Sequence, residues 1–549
     1  MSKSAHVDSS ARDMLPPREL WPEMRYDRIP GLEYPERMNC AVELLDRMAS
    51  MGNSDRPVFY SPQGIWNYGE LLARANKIAR VLTEDLGVRP GNRVLLRGYN
   101  NPMMAACWFA ILKAGGIVVA TMPMLRTREL TFTADKVNIS LALTDSRIAG
   151  DCELAMKTTA SGKPRESGRC VTFGSGSDSS AELDRLMQGK PATFQNCDTA
   201  ADDIAIIAFT SGTTGEGKAT AHFHRDVMAI CDCFPRYVLR ANSSDMFTGS
   251  PPFAFTYGLG GILLFPMRIG ASTLLLEQTT PPQLLDAIEK YRPTVLFTAP
   301  TAYRAMAGLL AGRDVESLRI CVSAGEALPL AASQAWERAT GIRIIDGIGA
   351  TEMLHIFISA SGDDIRPGAT GKVVPGYEAV VIDDKGNAVP DGTVGKLAVR
   401  GPTGCRYLDN SERQKAYVRK GWNITGDSYI RDADGYFWYQ ARTDDMIISS
   451  GYNISGPEVE NVLLLHPSVK ECAVVGLPDE ERGQAVSAFI VLNENASAAP
   501  ELVKEIQDFV KKEIAPYKYP RRVEFVSALP RTPTGKLQRH RLREKRGDA

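Results

Sequence analysis

Asp203-Ile-Ala-Ile-Ile-Ala-Phe-Thr-Ser-Gly-Thr-Thr-Gly-Glu-Gly-Lys218 is the stretch from which the rest of the chain can be read. Its apolar first half, Asp203 to Phe209, predicts a buried strand, and its second half a loop of glycines and hydroxyls leaving that strand. Such a loop is a phosphate cradle. Glycines admit close approach of the backbone, and N–H groups and hydroxyls donate to anionic oxygens. Thr210, Ser211, Gly212, Thr213, Thr214, Gly215 and Lys218 are therefore candidate phosphate ligands. Gly212, Gly217 and Lys218 also fit the start of G-x-x-x-x-G-K-[ST], but Ala219 stands where that motif needs a hydroxyl for magnesium. A P-loop NTPase or kinase thus stays only as an alternative.

On both sides of the loop, helical patterns alternate with short apolar strands. Helices are expected at Ala41–Met51, Pro102–Leu112 and Pro282–Tyr291, and strands at Arg93–Leu96, Gly116–Ala120, Thr273–Leu276 and Thr294–Phe297. That alternation predicts an α/β fold, with parallel or mixed sheets covered by helices. Residues 158–200, rich in Ser, Gly and Asp, read as a surface connection. Beyond about residue 370 the character changes. Gly376–Asp383 and Gly395–Arg400, separated by Asp-Gly turns, look like antiparallel strands of a β-rich subdomain. The tail repeats a small α+β pattern, with helices at Pro457–Leu465 and Glu501–Glu513 and strands at Glu471–Val475 and Ala485–Leu492. The expected division is an arm at 1–35, a large domain at 36–443 and a small domain at 444–549; no internal repeat is visible.

Composition excludes several classes. The 549 residues carry a net charge of −1, with 44% hydrophobic and 23% charged residues, which fits a globular protein and not a nucleic-acid binder. The ten cysteines are scattered, with Cys231 and Cys233 too close for a zinc knuckle, and none of the six histidines forms H-E-x-x-H, so no structural metal is expected. The start of the chain has no apolar core of the signal-peptide kind. The greasiest stretch, Ala105–Met122, carries Lys113 and Gly115-Gly116, so no membrane span is expected, and a cytoplasmic location is.

Four further motifs follow the loop in order: Gly347-Ile-Gly-Ala-Thr-Glu352, Thr425-Gly-Asp427, Arg442-Thr-Asp-Asp445 and Pro530-Arg-Thr-Pro-Thr-Gly-Lys536. Across roughly residues 40 to 545 the set resembles the adenylate-forming superfamily of acyl- and aryl-CoA ligases, peptide-synthetase adenylation domains and luciferase. The resemblance implies attack of a carboxylate on the α-phosphorus of ATP, release of pyrophosphate, and transfer of the acyl group to a thiol. It implies the following roles. Thr210 to Lys218 hold the β- and γ-phosphates, and Thr351 lies by the α-phosphate. Glu352 binds Mg2+, Asp427 accepts both ribose hydroxyls, and Arg442 grips ribose and phosphate. Gly325, Glu326, Ala327, Asp346, Gly347, Ile348 and Gly349 complete the nucleotide site, and Lys536 reaches in from the small domain. Asp444 is implied as the hinge on which that domain rotates, after which Ser450, Gly451 and Tyr452 line the channel for coenzyme A. His224-Arg-Asp226 lacks the partners a protein kinase needs.

The loop Pro252-Phe-Ala-Phe-Thr-Tyr-Gly-Leu-Gly-Gly261, together with Met353-Leu-His355, resembles the benzoate-CoA ligase branch, and the opening of the chain resembles the 2-aminobenzoate-CoA ligases within it. The implied pocket is flat, walled by Phe255, Tyr257, Gly258, Ala299, Gly325 and Ile348, with His355 either near the substrate or simply a core histidine. A small aromatic acid, 2-aminobenzoate or benzoate, is the implied substrate. Free coenzyme A is the implied acceptor, with a carrier-protein thiol as the alternative; monomer and homodimer both stay open. Two residues depart from the family pattern: Glu216 brings a negative charge into the phosphate loop, and Ile348 replaces the tyrosine that commonly stacks on adenine.

Overall fold

The computed structural model describes residues 3–165, 168–175, 180–210, 217–449, 452–479, 482–532 and 535–544. Ser211 to Glu216, Ser450 and Gly451, named above, lie outside the described residues, as does the side chain of Asp444.

The strand Ile204–Thr210 sits near one edge of a six-stranded sheet. Its order is Arg169–Phe173, Leu141–Asp145, Arg93–Arg97, Ile117–Thr121, Ile204–Thr210, Lys218–Phe223, parallel except for the last pair. The phosphate loop therefore connects two antiparallel strands, with Thr210 opposite Lys218. A second sheet of nine strands has six parallel central strands and antiparallel edges. Strands buried on both faces explain the unbroken apolar runs, because helices cover both sides of a parallel sheet. One hydrophobic core spans both sheets, with Val94, Phe109, Phe247, Phe297 and Val322 all buried.

Local chemistry sets the helices. Asn67 caps Tyr68–Arg80 in a capping box with Glu70, and Asn101 accepts from the Met104 amide ahead of Pro102, which opens Pro102–Lys113. That second helix is buried along its whole length, and Lys113 is buried with it because Asp46 receives its ammonium at 2.5 Å. The greasy stretch is thus a core helix running into a core strand; among the described residues no helix is long and apolar enough to cross a membrane.

One expectation fails. Within 158–200, read above as plain connection, Arg169–Phe173 forms an edge strand on Leu141–Asp145 and Glu182–Leu186 a short helix. An edge strand buries only part of its side chains, so Val171 and Phe173 alone carried the signal amid serine and glycine.

A five-stranded antiparallel sheet, Glu378–Ile382, Gly395–Arg400, Trp422–Arg431, Val418–Arg419 and Phe437–Arg442, follows the nine-stranded one. The residues after it pack their own core of Ile447, Val459, Val474, Ile490 and Val510 around the strands Val469–Asp479, Gly483–Leu492 and Arg522–Phe525. The N-terminal segment lies across the large body. Asp203 receives Arg12 at 2.7 Å, Asp8 pairs with Arg93, and Trp21 packs 5.6 Å from Phe223.

Candidate active site

The site lies at the C-terminal ends of the parallel strands of the nine-stranded sheet, where crossover connections leave a crevice. Thr298, Ser323 and Asp346 form one row across neighbouring strands. The Asp346 Oδ1 and Ser323 Oγ atoms are buried and meet no hydrogen-bond partner among the described residues, and the same holds for Thr210 Oγ1. Buried polar atoms normally find partners, so a row of orphans at a crevice points to a polar ligand. Burial also raises the Asp346 pKa to about 7. Gly325, just past the second strand, takes φ +92, open to glycine at little cost, and is exposed with Ala327 beside it.

The strand Ile344–Gly349 ends in the tight turn Thr351–Met353, followed by Leu354 at φ +68. A left-handed leucine costs on the order of 1 kcal/mol or more and persists only where its surroundings enforce it. It reverses the chain into Ile356–Ser359, which returns antiparallel to the strand it left. The turn holds Thr351 and Glu352. The Thr351 carbonyl accepts from His222 Nε2 at 2.8 Å, and burial lowers the His222 pKa to about 4, so the ring is neutral with its proton on Nε2. Glu352 is buried, and its Oε1 accepts from the Tyr407 hydroxyl at 2.5 Å.

Asp427 and Arg442 face each other across antiparallel strands, and Arg442 Nη1 donates to Asp427 Oδ1 at 3.1 Å. Gly426, just before Asp427, has φ +78, where a side chain would be strained, and a Cβ there would stand 3.0 Å from the Arg442 guanidinium. Burial raises the Asp427 pKa and the Arg442 charge opposes the rise.

Lys536 sits in a hairpin held by mutual bonds with Thr532, at 2.8 and 3.0 Å. Its tip reaches solvent, yet the protein around it lowers its pKa by desolvation, against the opposing fields of Glu326, Asp427 and Glu352. Burial raises the Glu326 pKa, and the Arg531 and Lys536 charges oppose the rise. Lys218 meets the same field from the opposite side: burial lowers its pKa, Glu352 opposes, and its Nζ lies 5.7 Å from the Tyr407 ring.

Beside this crevice is a cluster of aromatic rings. The Tyr257 hydroxyl donates to the Thr298 and Val322 carbonyls at 3.2 and 3.0 Å, which fixes its ring 5.7 Å from Phe297 and 5.9 Å from His355. His355 is buried, meets Phe265 edge-on at 4.5 Å, and is held neutral by burial, its pKa lowered to about 3. Gly258 has no room for a Cβ, which would lie 2.3 Å from the Pro252 carbonyl oxygen. Phe255, Ala299 and Ile348 are half-buried nearby in sequence, on the same strand ends and loop. Tyr452, by contrast, is exposed on a surface hairpin and stacks on Tyr517 at 4.6 Å.

Sequence reasoning missed Tyr407 and His222. Nothing in their spacing links Tyr407 to Glu352. His222 carried no signal either: it falls on the polar positions of the strand Lys218–Phe223, yet the strand is buried from Ala219 to Phe223.

Family models for the AMP-binding enzyme and for the AMP-binding enzyme C-terminal domain match residues 46–406 and 458–536. The chain belongs to the AMP-binding enzyme family. It is 34% identical to benzoate–CoA ligase of Thauera aromatica over 523 residues, covering 94% of this chain and 97% of the relative. It is 32% identical to the mitochondrial acyl-coenzyme A synthetase ACSM3 of Mus musculus over 94% of this chain and 91% of the relative. The crystal structure of the anthranilate CoA ligase AuaEII in complex with anthranoyl-AMP superimposes with a TM-score of 0.86 at 34% identity, covering 93% of this chain and 98% of that one. The fold is accordingly that of the adenylate-forming enzymes, and the protein is an AMP-forming acid–CoA ligase with ATP and coenzyme A as substrates. The P-loop alternative falls with that membership.

Proposed function

We propose that the acid is a small aryl carboxylate, with 2-aminobenzoate as leading candidate and benzoate next. The observation that carries this reading is the cluster of rings Tyr257, His355, Phe265 and Phe297 beside the row Thr298, Ser323, Asp346, to which the Tyr257 hydroxyl ties it through the Thr298 carbonyl. Rings pack edge and face against a planar guest, whereas a long flexible chain gains nothing from the geometry and loses rotamer freedom. Two relatives named for benzoate and anthranilate support the same class.

In the proposed chemistry the substrate carboxylate oxygen attacks the α-phosphorus, the bond to the β-phosphate bridge breaks, and pyrophosphate leaves. Charge gathers on phosphoryl oxygens, so catalysis rests on positioned cations and donors. Lys536 supplies the cation at the α-phosphate and carboxylate, the Thr351 turn sits beside it, and Lys218 with the loop from Thr210 receives the β- and γ-phosphates. Asp427 takes the ribose hydroxyls and Arg442 holds that carboxylate in place; Gly325 to Ala327 and Asp346 to Gly349 surround the base. Among the described residues no cluster of three metal-ligating side chains exists. A single buried carboxylate, Glu352, fits Mg2+, which keeps few protein ligands and bridges phosphates. When bound, the ion neutralises charge developing on the phosphates.

For the second step we propose that the small domain, 444–549, turns on Asp444 against the large domain, 36–443. The turn would withdraw Lys536 and present Ser450, Gly451 and Tyr452 to coenzyme A, whose thiolate attacks the acyl carbonyl and releases AMP. The test is AMP release, with and without coenzyme A, from benzoate, 2-aminobenzoate, hydroxybenzoates, cinnamates and hexanoate. Highest kcat/KM on a benzoate is expected, and highest on hexanoate defeats the aryl assignment.

A further inference from the structure

A cavity of about 180 Å³ is lined by Tyr407, whose hydroxyl donates to Glu352. On this measure one water needs only ~15 Å³, so the space admits a polyatomic ligand. Three cations line it: Lys218, Lys136 at the end of helix Thr127–Lys136, and Arg413 in helix Ser411–Tyr417. Gathering like charges is unfavourable by itself. The Arg413 charge adds to burial in lowering the Lys218 pKa, and the nearest acid at Lys136 is Asp409, 3.7 Å away and largely exposed.

Tyr407 divides the two spaces. Its hydroxyl holds Glu352, while its ring lines the cavity under Lys218. Lys218 lines the cavity with its Nζ 5.7 Å from the Tyr407 ring, beside the hydroxyl that holds Glu352.

We propose that this cavity is an exit basin for inorganic pyrophosphate, in which Lys136 and Arg413 draw the leaving group past Lys218 and away from the acyl adenylate. The inference rests on the adenylation reading above. A basin of this kind binds the free diphosphate and not ATP, because the nucleotide is tethered at Asp427 and ends at Lys218.

The test uses the full chain with Lys136→Gln, Arg413→Gln and the double variant. Each partly exposed charge is worth a few-fold in affinity, so the double variant should raise the pyrophosphate inhibition constant by roughly tenfold. The KM for ATP should stay within about twofold, while Lys136→Arg behaves as the parent. An unchanged inhibition constant overturns the proposal. So does a parallel rise in the KM for ATP, which would make the two cations part of the ordinary triphosphate grip. Calorimetry with pyrophosphate alone, without acid or nucleotide, separates this inference from the adenylation reading. Binding that the double variant loses supports the basin even if no acid is turned over; turnover by an enzyme that binds no free pyrophosphate defeats the basin alone.

Discussion

Replacing Asp346 with asparagine should stabilise the protein increasingly as the pH rises. The side chain keeps its shape and loses its charge. In the folded chain burial lifts the Asp346 pKa from 3.8 to about 7, so the folded state holds the proton over a range in which the unfolded state has released it. A carboxyl with a raised folded pKa lowers stability as pH climbs from its unfolded value to its folded value, and no further above that. At about 1.4 kcal/mol per pKa unit, the full shift has a ceiling of ~4 kcal/mol, of which on the order of 2 kcal/mol accrues between pH 5 and pH 7. Urea unfolding read by tryptophan fluorescence reports it, since Trp108 and Trp336 are both buried in the large domain. The stability gap between Asp346→Asn and the parent should widen by that amount from pH 5 to pH 7 and stay level to pH 8. A gap that is constant or shrinks across this range refutes the assignment of Asp346 as a buried carboxyl held neutral by desolvation.

Three further outcomes follow from the site. Lys536→Ala should slow adenylation by about a hundredfold or more while conversion of supplied acyl adenylate to thioester is preserved, as expected for a positioned cation at developing phosphoryl charge; equal loss in both half-reactions contradicts it. Asp444→Pro should do the converse, because a fixed φ at the hinge blocks rotation, and rapid-quench assays of the two half-reactions distinguish them. Tyr407→Phe removes a bond to a charged group worth ~1.5–3 kcal/mol, so adenylation should fall by roughly ten- to a hundredfold, with half-saturation by Mg2+ moving upward. An unaltered Mg2+ dependence would detach Glu352 from the metal.

Much of the architecture was legible because its signals are local. Apolar runs such as Ile204–Thr210 and Val295–Thr298 are buried on both faces and so carry no polar interruption. The helix expected at Pro102–Leu112 forms at Pro102–Lys113, capped by Asn101 and opened by proline. Arg169–Phe173 was not legible, because an edge strand needs few apolar residues and its neighbours mimic a linker. At the site, Glu352, Asp427 and Lys536 stood out through ordered motifs. Their supports did not. Tyr407 meets Glu352 and His222 meets Thr351 only through the folded chain, and no periodicity encodes such pairings.

The central claim is that a carboxylate oxygen of the substrate attacks the α-phosphorus of ATP. Turnover of 2-aminobenzoate labelled with heavy oxygen in its carboxylate, followed by mass spectrometry of the products, tests it most directly. The account predicts one labelled oxygen in AMP and none in pyrophosphate. Label in pyrophosphate or in free phosphate, with AMP unlabelled, would contradict it.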